Sequence, residues 1–333
     1  MSVTNPYDNP YDWERLMRAA DAAPSLLNTR PWQFECVAED RIDLRPEWSR
    51  HLTVIDRRHR ELVISCGAAL FNVRLAIRVA GHDPVVWLLP DEQPGEGGPP
   101  CPHCGSRCGI GELLASVELV IHRTHSATRT EQRLYEQIQK RRTVREPFTG
   151  KVPLNVLAEL EQAARREGAL ARLLYPRESR KLVREAAAVG KAVSADTSYL
   201  AEQGMWTGEV SGDLGIPADR FGPKPADPAH SPVRDFGARW QGDRSEKEFE
   251  KHPQFIALQT LTDTPQDWLR VGQALQRLLL TATYFGVQTS FLTQTLEIAD
   301  RDLHQRIRRP WPWPPVTQML IRVGASDSAG QAG

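Results

Sequence analysis

The chain has 333 residues, 40% of them hydrophobic and 25% charged, which is typical of a globular protein with one large domain or two ordinary ones. Lys plus Arg equals Asp plus Glu at 42 each, so the charge does not favour nucleic acid or an anionic membrane as a partner. No apolar run reaches the roughly 20 residues that cross a bilayer, and the polar N-terminus has no signal-peptide core. These features predict a cytoplasmic protein.

The pattern of apolar residues predicts two helices and several strands in the first part of the chain. Helical spacing covers residues 12–23, and a long apolar helix covers residues 61–80. Alternation over residues 34–44 predicts two paired strands around a turn. The continuous apolar run 85–89 predicts a buried strand, and residues 113–122 predict a further strand.

The later part repeats this alternation over a greater length. Helical periodicity covers residues 154–167 and 178–194, and a second long apolar helix covers residues 266–285. Residues 204–253 are interrupted by Gly, Pro and charged residues, which predicts a long irregular insertion. The last strand is predicted at residues 317–323. Long helices that alternate with short strands predict an α+β fold.

The two long apolar helices are similar to each other in sequence. Gly67 and Gly81 bound a stretch of the first helix, and Gly272 and Gly286 bound a stretch of equal length in the second. Further identities lie between these glycines, at Ala69 and Ala274, Leu70 and Leu275, and Leu75 and Leu280. Two core helices can share such residues by chance. The alternative is an internal duplication, which would make the chain a fused pseudo-dimer and would account for its length.

A cluster of basic residues follows a helical stretch near the middle of the chain. Arg141, Arg142 and Arg145 lie within five positions, together with the hydroxyl donor Thr143. A guanidinium presents a planar fork of donors that matches two phosphate oxygens. The cluster therefore indicates a phosphate-binding segment. The alternative is a solvated helix end, where positive charge interacts favourably with the helix dipole.

A second polar segment occurs early in the chain. Pro24 stops the first predicted helix, so Ser25 and the amides that follow it can face a ligand. Asn28 offers two donors and an acceptor, which suit a hydroxyl chain or the polar edge of a ring. Trp32 either walls such a pocket or anchors the next strand in the core, and the core is the commoner place.

Together the two segments resemble the site motifs of the nitroreductase superfamily of FMN proteins. Residues 141–145 resemble its Arg-Arg-Ser-x-Arg segment, which holds the FMN phosphate, with Thr143 in place of Ser. Residues 23–32 resemble its Ala-Pro-Ser-x-x-Asn-x-Gln-Pro-Trp segment, which lines the isoalloxazine and ribityl chain from the other subunit, with Arg30 in place of Gln. The overall plan resembles the single-chain Acg family, in which two nitroreductase-like halves are fused. The similarity to that family also includes residues 56–62, 65–72 and 322–324.

The resemblance implies a nitroreductase-like α+β fold in two fused halves. Half one spans residues 12–125 with the insertion 91–111, and half two spans residues 130–324 with the insertion 204–253. Each half keeps one of the two site segments, which implies one FMN per chain between the halves. The implied function is an oxidoreductase that transfers hydride from NAD(P)H through FMN to a small-molecule acceptor, with no catalytic side chain. We expect a monomeric pseudo-dimer, and further self-association stays open.

A third segment of the implied site follows the second long helix. In the superfamily a short stretch at this place passes its backbone amides close to flavin N5, which implies contacts from Leu292, Thr293 and Gln294. Many catalytic members have Glu-Gly where this chain has Thr293 and Gln294. Many members also place basic residues after the last strand, and this chain has none there, so phosphate binding would depend more on residues 141–145.

The insertion 204–253 has two interpretations. In the Acg family such an insertion acts as a lid over the flavin, and the alternative is a structureless surface loop. The residues of this chain at the position of that lid are Trp206, Asp213, Gly215, Ile216 and Pro217. A closed lid would exclude a nicotinamide. The alternative function is therefore a protein that binds and sequesters FMN with little or no turnover.

A cysteine cluster lies in the insertion 91–111. Cys101, Cys104 and Cys108 have a spacing that suits a structural zinc, with a histidine as a candidate fourth ligand. One alternative is a loop whose thiols are redox-labile. Another is an iron–sulfur site, for which three cysteines fall short of the usual four. The superfamily does not require this cluster.

Overall fold

Two antiparallel sheets and two long helices form the frame of the chain. The structure is a computed structural model that describes residues 12–90, 110–120, 126–210, 212–237, 240, 242–297 and 315–325. Its α-helices are α1 (Trp13–Asp21), α2 (Arg60–Val79), α3 (Arg129–Gln137), α4 (Leu154–Arg165), α5 (Pro176–Val193), α6 (Thr197–Met205), α7 (Pro265–Tyr284) and α8 (Gln294–Glu297). Its strands are β1 (Trp32–Ala38), β2 (Arg41–Pro46), β3 (Pro84–Leu88), β4 (Ala115–Leu119), β5 (Leu170–Leu173), β6 (Thr207–Gly208), β7 (Ile216–Pro217), β8 (Lys224–Pro225), β9 (Glu246–Lys247), β10 (Gln254–Thr260), β11 (Gln288–Phe291) and β12 (Val316–Gly324).

Each four-stranded sheet is built from one of the two predicted halves. The first has the order β1-β2-β4-β3 and the second the order β11-β12-β10-β5, with every neighbouring pair antiparallel. In each sheet the two strands before the long helix pair with each other, and so do the two strands after it. The strand just before the helix and the last strand form the centre of the sheet. The order of strands around the long helix is therefore the same in both halves.

Helices α2 and α7 pack against each other, and their apolar side chains share one core with residues of both sheets. A helix that is apolar on all sides is stable only when it is buried all round, which explains their central position. Among the described residues, α2 is the one helix whose length and composition would also suit a membrane span. In this fold 83% of that apolar stretch is buried inside the protein.

The two long helices cross at a pair of glycines. A Cβ atom added at Gly67 would overlap the carbonyl oxygen of Leu269, and one added at Gly272 would overlap the carbonyl oxygen of Ile64. The contact is reciprocal, because Ile64 and Leu269 each stand three residues before the glycine of their own helix. Only a residue without a side chain lets two helix backbones approach this closely.

Most element predictions for half one are confirmed. Residues 12–23 contain α1, residues 61–80 nearly coincide with α2, and residues 34–44 lie within the antiparallel pair of β1 and β2, which extends two residues further at each end. The strand predicted at residues 85–89 is present as β3, but the prediction that it is buried is wrong. Strand β3 lies at the edge of its sheet, where its side chains alternate between half-buried and exposed, and Trp87 is 54% exposed.

In half two the predicted helices are confirmed as α4, α5 and α7, and the predicted last strand as β12. The sequence pattern did not indicate α6, β5, β10 or β11. The insertion 204–253 contains the short strand pairs β6–β7 and β8–β9, so it has some regular structure.

The cysteine cluster of Cys101, Cys104 and Cys108 lies outside the described residues. Within the described ranges, no group of three or more His, Cys, Asp or Glu side chains is arranged to hold a metal ion. The zinc site stays a prediction.

Candidate functional site

A cavity of about 720 Å³ lies between residues of the two halves. Its walls come from the turn before β1, the start of α2, the segment before α4, the end of β11 and the insertion 204–253. The predicted site residues that line it are Pro24, Ser25, Asn28, Arg30, Arg141, Arg142, Thr143, Arg145 and Thr293. Two motifs far apart in the sequence therefore face one space of a size typical of small-molecule sites.

The turn between α1 and β1 has a backbone conformation that residues with side chains rarely adopt. Leu27, Asn28 and Arg30 have φ values of 50°, 55° and 48°, in the left-handed region. Ser25 holds the turn, because its Oγ accepts a hydrogen bond from the Arg30 amide at 2.9 Å. Residues in this conformation carry strain and cluster at ligand sites, so the turn itself points to binding.

The Asn28 side chain contacts the insertion 204–253. Its Nδ2 donates to the carbonyl oxygens of Asp213 at 2.8 Å and Gly215 at 3.0 Å. The carbonyl oxygen of Asn28 accepts from the Gly215 amide at 3.1 Å. Both hydrogens of the carboxamide are thereby used, which leaves its Oδ1 for the predicted contact with a ligand.

Arg141 has no counter-ion among the described residues. Its guanidinium donates over 3.4 Å to the Thr143 hydroxyl and to the Ala22 carbonyl oxygen, and among the described residues its buried Nε has no partner and no carboxylate pairs with it. Burial, and then the charge of Arg142, lower the pKa of Arg141 to about 10. Arg142 is itself exposed and donates to the Gln139 carbonyl oxygen at 2.6 Å. A buried unpaired cation is unfavourable, so Arg141 favours an anionic ligand.

Arg145 contacts the insertion side of the cavity. Its Nη1 donates to the Arg220 carbonyl oxygen at 2.9 Å, and its guanidinium carbon lies 5.0 Å from the centre of the Phe236 ring. Burial, followed by the charges of Arg234 and Arg220, lowers the pKa of Arg145 to about 10. Arg141 contacts the end of α1 instead, so the two cations lie on different sides of the cavity.

Arg234 is a cavity residue that the sequence motifs did not indicate. Its Nη1 lies 3.1 Å from both carboxylate oxygens of Glu297, and its Nη2 donates to the Tyr199 hydroxyl at 2.6 Å and to Gln203 at 2.7 Å. Burial acts to lower the pKa of Arg234, but Glu297 and Tyr199 outweigh it and raise that pKa. Thr293 donates to the same carboxylate at 3.0 Å, so this network joins the insertion to the segment after β11.

Cations outnumber acidic residues on the cavity wall. The lining arginines are Arg18, Arg30, Arg141, Arg142, Arg145, Arg220 and Arg234, and the lining acids are Asp21, Glu61, Asp213 and Asp219. Asp21 lies 3.8 Å from Arg30, while Glu61 pairs with Arg60 and Arg234 pairs with Glu297, two partners outside the lining. The remaining charge is positive, which favours an anion in the cavity.

Three predicted site residues do not line the cavity. Trp32 is 7% exposed and lies in the hydrophobic core, with its indole nitrogen 3.3 Å from Asp21, so the core interpretation of this residue is the one found. Leu292 is packed in an apolar cluster with residues of β10 and β12. Gln294 is buried at the start of α8.

Other lining residues come from outside the two site motifs, and of these Glu61 and Ser65 lie in the segments 56–62 and 65–72 that share the family resemblance. Glu61 and Ser65 reach the cavity from α2, and Ser290 reaches it from β11. A charged residue at the start of an otherwise apolar buried helix is the signal that could have indicated Glu61. The insertion residues Arg220 and Phe236 carry no comparable signal.

The chain is similar to known proteins over most of its length. "Putative NAD(P)H nitroreductase Rv3131" of Mycobacterium tuberculosis is 30% identical over 315 residues, which cover 93% of this chain and 83% of that protein. "Putative NAD(P)H nitroreductase acg" of the same organism is 29% identical over 323 residues, which cover 92% and 87%. No protein-family model matches the chain.

Two solved structures were also found to be similar. A nitroreductase with bound FMN from Bacteroides fragilis is 13% identical, with a TM-score of 0.36, and the match covers 60% of this chain and 91% of that one. A "putative nitroreductase" from Anabaena variabilis is 12% identical, with a TM-score of 0.41, and the match covers 94% of this chain and 73% of that one. The sequence similarity to the mycobacterial proteins is thus higher than the similarity to these two structures.

Proposed function

The chain belongs to the nitroreductase family, and on that premise we propose that it is an FMN-dependent oxidoreductase that takes hydride from NAD(P)H. One FMN per chain would lie in the cavity between the halves, and a small-molecule acceptor would be reduced there. The observation that carries the proposal is that both predicted motifs line one cavity whose wall has a surplus of cations.

The residues of the cavity fit FMN in size and charge. A volume of about 720 Å³ is within the range of ligand pockets. Arg141 has a buried Nε without a partner among the described residues. A phosphate would supply the missing counter-ion, because a guanidinium and a phosphate bind each other through two parallel hydrogen bonds. The Thr143 hydroxyl would add a donor beside it.

When bound, FMN supplies the hydride chemistry, and the protein supplies position and electrostatics. Arg141 would hold the phosphate and so fix the depth at which the cofactor sits. The strained turn at residues 27–30 would form a rigid wall, and residues 212–217 of the insertion would keep water out. Arg145 would stabilise negative charge that arises in the cavity on reduction.

A single FMN site per chain is supported by the lack of symmetry between the connections of the two halves. The order of strands and the reciprocal contact of Gly67 and Gly272 support an internal duplication of residues 12–125 and 130–324. The connection at residues 22–31 corresponds in half two to the short turn 166–169. That turn has no room for a flavin-lining segment, so we propose that the second site was lost.

The first test is the anaerobic visible spectrum of the protein after reconstitution with FMN, before and after addition of NADPH or NADH. We expect one bound flavin per chain, with a band that bleaches on addition of the nicotinamide. A band that persists with the nicotinamide but bleaches with dithionite would favour the alternative function, sequestration of FMN, for which the contact between Asn28 and the insertion is the supporting observation. A chain that binds no flavin would contradict both functions.

A further inference from the structure

Two contacts of unequal strength hold the insertion to the cavity wall. Near its start, the flap (residues 212–215) is held by Asn28. Further along the chain, Arg234 ties the insertion to Glu297. We propose that Asn28 is a positioning residue that latches the flap over the cavity, and that the cavity opens by release of the flap while the Arg234 contact stays closed. This inference rests on the proposed function in one respect, namely that the cavity is the ligand site.

The Arg234 contact is the stronger of the two. Arg234 is 7% exposed, the Glu297 side chain is fully buried, and Tyr199 and Gln203 complete the network. Hydrogen bonds between ionised groups are roughly twice as strong as those between neutral groups. Separating this pair would also leave two uncompensated charges inside the protein. The insertion therefore stays attached at Arg234.

The latch consists of neutral hydrogen bonds, of which the one to the Asp213 carbonyl oxygen is exposed and the one to the Gly215 carbonyl oxygen is half-buried. Asp213, whose carbonyl oxygen accepts one of them, is exposed, so water can replace the Asn28 donor when the flap moves. Bonds that exchange with water have a small net stabilising effect. The flap therefore separates from Asn28 more readily than the insertion separates from Glu297.

The backbone of the flap is suited to a local movement. Gly212 and Gly215 stand at its two ends, with φ values of 77° and 78° in the left-handed region that favours glycine. Directly after the flap, Ile216 is buried in an apolar cluster that includes Leu27 and Tyr199. Gly212 is exposed with no atom within 4 Å of an added Cβ, whereas Gly215 is buried against the Trp206 carbonyl oxygen. The flap can therefore pivot at Gly212 and is fixed beyond Gly215.

The latch is tested with Asn28→Gly in the full chain without FMN, by hydrogen–deuterium exchange of the Gly215 amide. Glycine removes both side-chain donors and tolerates the φ of 55°, so the turn is not strained by the change. We expect exchange at Gly215 to become about tenfold faster, with amides of α2 unchanged. The matched control is Asp213→Ala, which removes the exposed carboxylate but keeps the carbonyl oxygen that Asn28 binds, and it should exchange like the parent chain. Equal exchange in Asn28→Gly and the parent would overturn the latch.

A second readout is the rate at which FMN dissociates, which should rise about tenfold in Asn28→Gly while the thermal midpoint stays close to that of the parent chain. Because the same change removes the Oδ1 that would contact the ligand, faster release supports the latch only together with faster exchange at Gly215. A global loss of stability with faster exchange in α2 would instead assign Asn28 a role in folding and would contradict the latch. If the parent chain binds no FMN, the proposed function fails, yet the exchange measurement on the ligand-free protein still decides the latch.

Discussion

The connection after the first helix differs sharply between the two halves. In half one, residues 22–31 join α1 to β1 through a turn with three left-handed side-chain residues, and this turn faces the cavity. In half two, residues 166–169 join α4 to β5 through a tight turn in which Gly168 has a φ of 80°. Glu167 of that turn lies 2.9 Å from both Arg74 on α2 and Arg277 on α7.

The difference shows how one arrangement of strands gives two unlike regions. The longer connection leaves space beside α2, and basic residues of the other half close that space into a cavity. The shorter connection brings a carboxylate onto both long helices and links them by ion pairs. With the sheet order unchanged, the length of this connection separates a region that lines the cavity from one that joins the two long helices by ion pairs.

The largest effect is expected where the two halves meet. In Gly272→Ala the added Cβ would overlap the backbone of α2, so the helices must separate, and we expect a loss of about 3 kcal/mol in the free energy of unfolding. Chemical denaturation measures this. The control is Gly190→Ala in α5, where no atom lies within 4 Å of the added Cβ, and which should leave stability equal or slightly higher. Similar losses in both variants would mean that the crossing at Gly272 is not a close contact.

The next effect sharpens the assignment of the binding region. Arg141→Ala should weaken FMN binding by roughly 1.5–3 kcal/mol, which is about tenfold to hundredfold in dissociation constant, because a charge-assisted contact to phosphate is lost. Fluorescence titration with FMN measures it. The control is Arg166→Ala, in the short connection of half two, and its FMN affinity should equal that of the parent chain. Unchanged affinity in Arg141→Ala would contradict the proposal that Arg141 binds the FMN phosphate.

The same residue predicts how FMN affinity depends on pH. Because burial lowers the pKa of Arg141 to about 10, the ligand-free protein loses this positive charge as the pH rises through that value. The phosphate contact needs the charged form, so we expect FMN affinity to fall as the pH rises through about 10. Titration at a series of pH values measures the slope, and Arg141→Ala should show a shallower one. A parent chain with constant affinity across this range would contradict the prediction.

A smaller effect is expected in the stabilising region. Glu167→Ala leaves Arg74 and Arg277 without their shared carboxylate, and since both arginines are partly exposed we expect a loss of about 2 kcal/mol in the free energy of unfolding. FMN affinity should not change. Glu159→Ala, an exposed residue of α4, is the control and should leave stability within about 0.5 kcal/mol. Weakened FMN binding in Glu167→Ala would contradict the view that the short connection of half two has no part in binding FMN.

The smallest effect concerns the strained turn. Ser25→Ala removes the hydroxyl that accepts a hydrogen bond from the Arg30 amide, and the expected loss is about 1 kcal/mol in the free energy of unfolding. Because the turn is part of the cavity wall, FMN affinity should fall by a few-fold in the same variant. A Ser25→Thr variant keeps the hydroxyl and should restore most of the loss. No change in either quantity would show that the turn is held by other contacts.

The sequence predicted the elements whose pattern is local. Helices α1, α2 and α7 have apolar residues at helical spacing, and β1 and β2 alternate. Strand β10 was missed because it is buried on both faces, so its residues do not alternate between buried and exposed. Burial of β3 was predicted wrongly because an apolar run does not tell whether the strand is central or at an edge.

Among the residues that line the cavity, the sequence indicated those of the two motifs, Thr293, and the insertion residues Asp213, Gly215, Ile216 and Pro217. Arg234 was not indicated, because its partners Tyr199 and Glu297 stand 35 and 63 positions away, and no local pattern connects them. The contact of Asn28 with Gly215 spans 187 positions and was missed for the same reason. Trp32 could be assigned to wall or core only once the packing of β1 was known.

The reciprocal contact of Gly67 and Gly272 has a consequence for how the chain can vary. In a dimer of identical subunits, every substitution near the two-fold axis occurs in both copies at once and meets its own image. In this chain the two positions are encoded separately, so one side of the crossing can change while the other keeps its glycine. In a single polypeptide with this architecture, α2 and α7 can therefore carry different residues at facing positions. A symmetric dimer cannot carry such unequal pairs.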